Sequence, residues 1–324
     1  MALIDTESIL RKLNDREKVS LLAGIDFWHT KAFPEHGVPS LRLSDEPNGV
    51  RGTRFFNSVP AAYLPYSTAL GSAFDKDLIL EAGSLIGEEA KAKGAHAVLG
   101  PTINMQRSPL GGRGFEPYSE DPVVSGMISA AFINGMQSKG VVAALKHFVC
   151  KDQEHERNNS RFGTHNPNLS CLRTTKVNGT HAAESKRLLQ DVLRKEWNWK
   201  GLIMSDWLGT YSTSESINAG LDLEMPGPSR WRGEAAVIVS STNKLDANAL
   251  DNCARAVLNL VNDCAASGMP EKAPEHSRDT PETSALLRRL AADAVVLRKN
   301  TDNILPLFKD KKSARKSERR IVAK

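Results

Sequence analysis

Residues 141–147 read Val-Val-Ala-Ala-Leu-Lys-His, an apolar run that ends directly in two polar side chains. Two other strand-like segments end in the same way: residues 41–45, Leu-Arg-Leu-Ser-Asp, and residues 202–207, Leu-Ile-Met-Ser-Asp-Trp. Charged side chains do not suit the packed interior of a barrel of parallel strands, but they suit the rim formed by the carboxyl ends of those strands. The three segments therefore predict an α/β fold with a polar site at that rim.

The rest of the chain alternates between strand-like and helix-like patterns. Helices are predicted to begin after Asp75 and Asp121, both of which suit N-cap positions, and a long amphipathic helix is predicted over residues 246–266. Repeated β-then-α alternation is typical of a parallel sheet with helical crossovers. With 324 residues, 40% of them hydrophobic and 25% charged, the chain is long enough for one large α/β barrel.

The predicted rim residues suit a ligand that carries many hydroxyl groups. Carboxylates and a lysine can bind hydroxyls through hydrogen bonds, and an indole ring offers a flat apolar face to a sugar. The alternative for each residue is that it caps a neighbouring helix. The candidates are Asp45, Lys146, His147, Asp206 and Trp207.

Long stretches of the chain resemble glycoside hydrolase family 3, and in particular its fungal β-glucosidases. The likeness covers roughly residues 5–157 and 176–308. The matching stretches are AGIDFWHT at 23–30, SDEPNGVRGTRFFN at 44–57, GPTINMQRSPLGGRGFEPYSEDP at 100–122, KHFVCKDQEHER at 146–157, KVNGTH at 176–181, LRKEWNWKGLIMSDWLG at 193–209 and GLDLEMPGPSRWRG at 220–233.

The resemblance implies a TIM-like (β/α)8 barrel and retaining hydrolysis of terminal non-reducing β-D-glucosyl residues, as in carbohydrate breakdown. Asp206, in the Ser-Asp-Trp motif, would be the catalytic nucleophile, and the substrate would be a β-glucoside or cello-oligosaccharide. The resemblance implies no metal and no cofactor. The residues expected to bind the glucose are Asp45, Arg107, Lys146, His147 and Trp207; Lys and Arg would donate to hydroxyls, and Asp45 would accept from two of them.

The chain departs from the family pattern at two places. The segment 158–175 contains only 18 residues and shows no helical or strand periodicity. A βαβ unit needs roughly 30 or more residues, so one βα unit of the barrel is expected to be missing. The general acid/base Glu of this branch comes from a second, α/β-sandwich domain, which the chain is expected only to begin. We therefore expect impaired activity from a truncated and internally deleted β-glucosidase, or, as the alternative, a non-catalytic sugar-binding remnant.

The predicted organisation has four parts. They are a family 3 barrel domain at residues 1–268, a proline-containing linker at 269–282, the start of the sandwich domain at 283–308, and a basic tail outside the family pattern at 309–324. The net charge of +5 comes from the tail, which holds eight Lys and Arg residues and two acids. No aromatic or RNA-binding motif accompanies the tail, so nucleic acid is not an expected partner.

Nothing in the sequence indicates a membrane or a particular compartment. No run of 18 or more apolar residues is present, so no membrane partner is expected. The first residues, Met-Ala-Leu-Ile-Asp-Thr-Glu, lack the basic and apolar regions of a signal peptide, although related fungal enzymes are often secreted. The localisation therefore stays open.

Overall fold

The computed structural model describes residues 1–45, 48–151, 161–162 and 176–306. It divides into two compact units, Met1–Ala294 and Val295–Lys324. The second unit, described as far as residue 306, contains a short 3₁₀ turn at Thr301–Asn303. The basic tail predicted at 309–324 lies outside the described residues, as do most residues of the short interval 158–175.

Three long helices in the described residues begin where the sequence provides a cap. The side chain of Asp75 accepts hydrogen bonds from the first backbone N–H groups of α4 (Lys76–Ala92), so this predicted start is confirmed. Asp121 caps α5 (Pro122–Gln137) and Asp246 caps α8 (Ala247–Ala265) in the same way, which confirms these starts too. None of these helices is long and apolar enough to cross a lipid bilayer. The α-helices are α1 (Thr6–Lys12), α2 (Asp15–Leu21), α3 (Ser67–Ser72), α4 (Lys76–Ala92), α5 (Pro122–Gln137), α6 (Ser214–Ala219), α7 (Glu234–Ser240), α8 (Ala247–Ala265) and α9 (Pro281–Asp293), with a π-helix at Arg187–Glu196.

A parallel sheet stands between the helices. Its strands are β1 (Leu43–Asp45), β2 (Ala97–Leu99) and β3 (Val142–Ala143), in that spatial order. Ala97 pairs with Leu43 on one side and with Val142 on the other. Side chains alternate between the two faces, because Ala97 and Leu99 join one buried cluster with α1, α2 and α8, while Val98 joins another with α4 and α5. These contacts confirm the α/β class.

Isolated bridges continue the pairing beyond the named strands. His29 pairs with Arg42 and Gly24 with Thr30 in antiparallel fashion, and Ala23 then pairs in parallel with Glu224. Leu223 in turn pairs in parallel with Met204. The belt of paired backbone therefore runs from β3 through β1 to Met204.

The belt does not close within the described part of the chain, where no pairing joins β3 to the segment around Met204. A cavity of about 590 Å³ lies between these two edges. The segments Val141–Leu145 and Gly201–Met204 line it, together with apolar side chains that include Leu43 and Leu260. The described residues therefore form an open series of paired strands.

Helices α4 and α5 pack against each other through facing glycines. A Cβ built on Gly83 of α4 would lie 2.0 Å from the carbonyl oxygen of Phe132, and a Cβ built on Gly135 of α5 would lie 2.1 Å from the carbonyl oxygen of Leu80. The two backbones therefore approach each other at a distance that only glycine allows. This contact fixes the layer that covers the outer face of β2.

A second, small sheet precedes the π-helix. It consists of β4 (Arg161–Phe162), β5 (Lys176–Val177) and β6 (Thr180–His181). β5 and β6 form an antiparallel hairpin around Asn178-Gly179, whose φ angles of 52° and 88° are both positive. Asn-Gly is the preferred pair for such a two-residue turn.

The last helix of the first unit is α9. It begins at Pro281 with Thr280 as its N-cap and ends at Asp293. Leu290 of α9 is fully buried in the cluster formed by α4 and α5. The helix therefore belongs to the first compact unit, because its apolar face is covered there.

Candidate active site

The carboxyl ends of the sheet converge on one cavity of about 370 Å³. Asp45 is the last residue of β1, Lys146 pairs with Thr102 just beyond β3, and Asp206 follows the bridge at Met204. Five of the six predicted site residues line this cavity, as the rim argument requires. The lining residues are Trp28, Asp45, Phe55, Leu99, Arg113, Glu116, Lys146, His147, Asp206 and Trp207.

Lys146 and Asp45 form an ion pair at the cavity wall. The Nζ of Lys146 donates to Oδ1 of Asp45 over 2.8 Å, and the lysine is only 6% exposed. Burial lowers the pKa of Lys146, but the charge and hydrogen bond of Asp45 outweigh this effect, so the net direction is upward. The pair therefore presents a fixed ammonium donor and a carboxylate acceptor to a ligand.

Asp206 is a buried carboxylate whose environment disfavours its charged form. Burial raises its pKa, and this outweighs the opposite influence of Lys151, the Trp207 backbone N–H, Lys146 and Arg113. That N–H donates to Oδ1 of Asp206 over 2.7 Å. Weak solvation of the carboxylate beside cations suits a nucleophile that must attack carbon rather than bind water.

The arginine of the cavity is Arg113 and not the predicted Arg107. Arg107 is exposed and does not line the cavity. Arg113 donates through both Nε and Nη2 to the carboxylate of Glu116, and the hydroxyl of Thr102 also donates to that carboxylate over 3.2 Å. Both arginines stand in the same motif, and the sequence alone does not show which of them turns inward. The geometry therefore does not support Arg107 as a glucose ligand.

Two aromatic residues of the cavity were not singled out from the sequence. The ring centroids of Trp28 and Trp207 lie 5.5 Å apart, and those of Trp28 and Phe55 also lie 5.5 Å apart. Both extra aromatics stand inside stretches that resemble the family, at 23–30 and 44–57. Together the three rings form an apolar wall of the cavity, and a sugar ring can stack on such a wall.

A residue of the proline-containing segment fixes the loop that carries Phe55. Oε1 of Glu275 accepts from the backbone N–H of Thr53 over 2.9 Å and from its hydroxyl over 2.6 Å. The carbonyl oxygen of Thr53 accepts from Nε1 of Trp28 over 2.8 Å. The position of the aromatic wall therefore depends on a side chain from residues 269–282.

One group of side chains in the described residues has a spacing that could hold a metal ion. It consists of Glu17, Glu35 and His36, which are partly or fully exposed and do not line the active-site cavity. Oε2 of Glu17 already accepts from the backbone N–H of Asn14 in a capping box. The group is therefore accounted for by helix capping and surface charge.

Comparisons with known proteins agree with this geometry. The sequence profile of the glycosyl hydrolase family 3 N-terminal domain matches residues 9–173 and 168–260. The chain belongs to glycosyl hydrolase family 3. The profile matches in two parts that meet within the short interval 158–175 identified from the sequence.

The relatives are β-glucosidases of fungi and bacteria. The chain is 54% identical to the probable β-glucosidase I of Neosartorya fischeri over 96% of its own length and 39% of that protein, and 52% identical to the probable β-glucosidase I of Emericella nidulans. The structure superimposes on the β-glucosidase of Kluyveromyces marxianus in complex with glucose with a TM-score of 0.91 at 45% identity, covering 95% of this chain and 40% of that one. For β-glucosidase 3B of Thermotoga neapolitana in complex with glucose the TM-score is 0.81 at 29% identity, covering 94% of this chain and 48% of that one. The chain thus spans about two-fifths of the length of its curated relatives.

Proposed function

We propose that this chain carries the glucose-binding and nucleophile-bearing part of a retaining β-glucosidase. The observation that carries the proposal is the convergence of Asp206, Asp45 and Lys146 on one cavity beside an aromatic wall. The substrate class is a terminal non-reducing β-D-glucosyl residue on an alcohol or sugar, as in β-glucosides and cello-oligosaccharides. The resemblance implies this class, and the related β-glucosidase structures in complex with glucose support it.

In the proposed reaction a carboxylate oxygen of Asp206 attacks the anomeric carbon, and the bond from that carbon to the aglycone oxygen breaks. The aglycone oxygen leaves with the electron pair of that bond and takes up a proton from a general acid or from water. The glycosyl-enzyme is then hydrolysed by water, which regenerates the carboxylate. The ammonium of Lys146 and the guanidinium of Arg113 donate to sugar hydroxyls, and Asp45 accepts from them. Trp207 and Trp28 offer apolar faces to the ring.

The cavity provides poor candidates for the general acid. Among the described residues its other carboxylates are Asp45 and Glu116, and both are bound to cations, Asp45 to Lys146 and Glu116 to Arg113. Both carboxylates already accept hydrogen bonds from these cations. General acid catalysis is worth about 10²–10⁴-fold, so we infer that the chain by itself hydrolyses unactivated glucosides weakly. This inference keeps the sugar-binding remnant as the second candidate.

The fold proposed with this function is a TIM-like (β/α)8 barrel that lacks one βα unit. The belt of paired strands, open between β3 and Met204, supports it, and so does the apolar cavity of about 590 Å³ between the two edges. In a (β/α)8 barrel, one strand and its helix would occupy the space between these two edges.

The experiment uses a substrate whose leaving group departs without being protonated. The chain is incubated with 2,4-dinitrophenyl 2-deoxy-2-fluoro-β-D-glucoside, and the intact mass and the labelled peptide are measured by mass spectrometry. We expect an added fluoroglucosyl group on the peptide that contains Asp206. Asp206→Asn should remain unlabelled, while Asp191→Asn, which changes an exposed carboxylate paired with Lys195, should label like the parent.

The outcomes separate the two candidates. Labelling at Asp206, together with weak turnover of 4-nitrophenyl β-D-glucoside, supports the incomplete enzyme. Glucose binding by calorimetry without labelling supports the sugar-binding remnant. If neither labelling nor glucose binding is observed with folded protein, both candidate functions are wrong.

A further inference from the structure

Asn104 contacts His147 at three points. Its Oδ1 accepts from the backbone N–H of His147 over 3.0 Å and lies 2.9 Å from the ring Nδ1. Its Nδ2 donates to the backbone carbonyl oxygen of His147 over 3.0 Å. Asn104 itself does not line the active-site cavity, whereas His147 does.

These contacts determine which way the Asn104 amide faces. A backbone N–H can only donate and a backbone carbonyl can only accept, so the amide oxygen must face the N–H of His147 and the amide nitrogen must face its carbonyl. The same oxygen therefore faces the ring Nδ1. Because an amide oxygen has no proton to give, Nδ1 must carry the proton in this contact.

The environment of the other ring nitrogen of His147, Nε2, agrees with this proton position. Nε2 of His147 lies 3.3 Å from Nη1 of Arg113, and a guanidinium can only donate hydrogen bonds. A lone pair on Nε2 fits this neighbour, whereas a second ring proton would place two cations side by side. Glu116 holds Arg113 in position through two hydrogen bonds.

We propose that Asn104 is a positioning residue that holds His147 as the neutral Nδ1–H tautomer, so that the Nε2 lone pair, which Arg113 approaches only to 3.3 Å, also accepts a hydrogen bond from a hydroxyl of the bound sugar. The hydroxyl contact rests on the proposed function, but the tautomer does not. His147 then complements Lys146, which donates to the ligand. A ligand hydroxyl at His147 must act as the donor.

The tautomer is measured directly on the folded chain. Protein labelled with ¹⁵N-histidine is examined at neutral pH by long-range ¹H–¹⁵N correlation, which distinguishes a protonated from an unprotonated ring nitrogen. We expect His147 to show a protonated Nδ1 and an unprotonated Nε2. A His147 signal with the proton on Nε2, or a doubly protonated ring, would overturn the assignment without any variant.

Substitution of Asn104 tests its positioning role. In Asn104→Leu the acceptor is lost, so we expect a mixture of tautomers and about three- to tenfold weaker glucose binding. In Asn104→Asp the acceptor remains, so the Nδ1 proton should persist and the ring should titrate at higher pH. Asn134→Leu, at an exposed site on α5, should change neither measurement. An unchanged tautomer and unchanged affinity in folded Asn104→Leu would refute the role.

Sugar analogues test the direction of the hydrogen bond. Fluorine can accept weakly but cannot donate, so replacing the hydroxyl that contacts His147 by fluorine should weaken binding about as much as replacing it by hydrogen. At least one position of a monodeoxy and deoxyfluoro glucose series should behave in this way, and Asn104→Leu should reduce that loss. If every fluoro analogue binds like glucose, Nε2 accepts no hydroxyl. If no sugar binds at all, the proposed function and the hydroxyl contact are wrong, while the NMR result still decides the tautomer.

Discussion

The contact between α4 and α5 leads to a test with a built-in control. Gly135 and Gly126 both lie in α5, but only Gly135 meets another helix. A Cβ on Gly135 would lie 2.1 Å from the carbonyl oxygen of Leu80 and 2.7 Å from the backbone nitrogen of Ser84, whereas a Cβ on Gly126 would meet nothing within 4 Å. Gly135→Ala and Gly126→Ala should therefore change stability in opposite directions.

The magnitudes follow from these distances. Gly-to-Ala in a helix interior is worth about 0.5–1 kcal/mol, so Gly126→Ala should be more stable than the parent by about that amount. Gly135→Ala receives the same gain, but an ordinary contact needs about 3.5 Å, so the helices must separate by about 1 Å. Overpacking of this kind costs about 1–3 kcal/mol, and a contact with rigid backbone atoms belongs at the upper end, so after the helical gain we expect a net loss of about 2 kcal/mol.

Urea denaturation followed by circular dichroism measures the free energy of unfolding, and thermal melting gives a second readout. Gly135→Ala should melt roughly 4–8 °C below the parent, and Gly126→Ala slightly above it. The reasoning is refuted if the two variants are equally stable, because the helical propensity term is the same for both. Equal stability would mean that α4 and α5 do not approach each other at Gly135.

Three further predictions concern the site and its supports. Glu275→Gln should lower the free energy of unfolding by about 1–2 kcal/mol, because its carboxylate accepts two hydrogen bonds from Thr53; urea denaturation checks this, and Glu271→Gln in the same segment should have little effect. Asp206→Asn should raise the melting temperature, and this rise should grow as the pH increases above about 4. Burial raises the pKa of the Asp206 carboxyl in the folded chain, so the unfolded chain releases this proton at a lower pH and ionisation favours unfolding. A difference in melting temperature that does not depend on pH would contradict this. Asp121→Ala should cost about 1 kcal/mol in urea denaturation, because the side chain caps α5 through the N–H groups of Val123 and Val124, and Asp121→Asn should retain most of the stability.

The parts of the fold that depend on local chemistry could be predicted from the sequence. Helices α4, α5 and α8 begin at Asp75, Asp121 and Asp246, whose side chains satisfy the first N–H groups of each helix. The short helices α3, α6 and α7 were not predicted. Their N-cap residues, Tyr66, Thr213 and Gly233, make no side-chain capping bond, so their stability comes from packing that a local pattern does not show.

In the site, too, the features that depend on local sequence could be predicted, and those that depend on tertiary contacts could not. Asp45, Lys146 and Asp206 each follow a strand, and parallel strands bring their carboxyl ends to one edge, so their meeting could be predicted. The choice between Arg107 and Arg113 could not, because residues between them form successive turns, with Gly111 and Gly114 donating to the carbonyls of Ser108 and Gly111. The direction of a side chain after such turns depends on tertiary contacts. Glu275 was missed for the same reason, since it reaches Thr53 from a distant part of the chain.

The backbone pairing of Ala23 with Glu224 has a consequence for how the chain is made in the cell. Gly24 donates to the carbonyl oxygen of Glu224, and Glu224 donates to that of Leu22. The amino group of Met1 also bonds the carbonyl oxygen of Met269, 268 residues away. Because translation is vectorial, the segment around Ala23 leaves the ribosome about 200 residues before the segment around Glu224 with which it pairs. Until that later segment has been made, the leucines of the earlier segment stay accessible to chaperones and to other nascent chains, and this part of the structure cannot form.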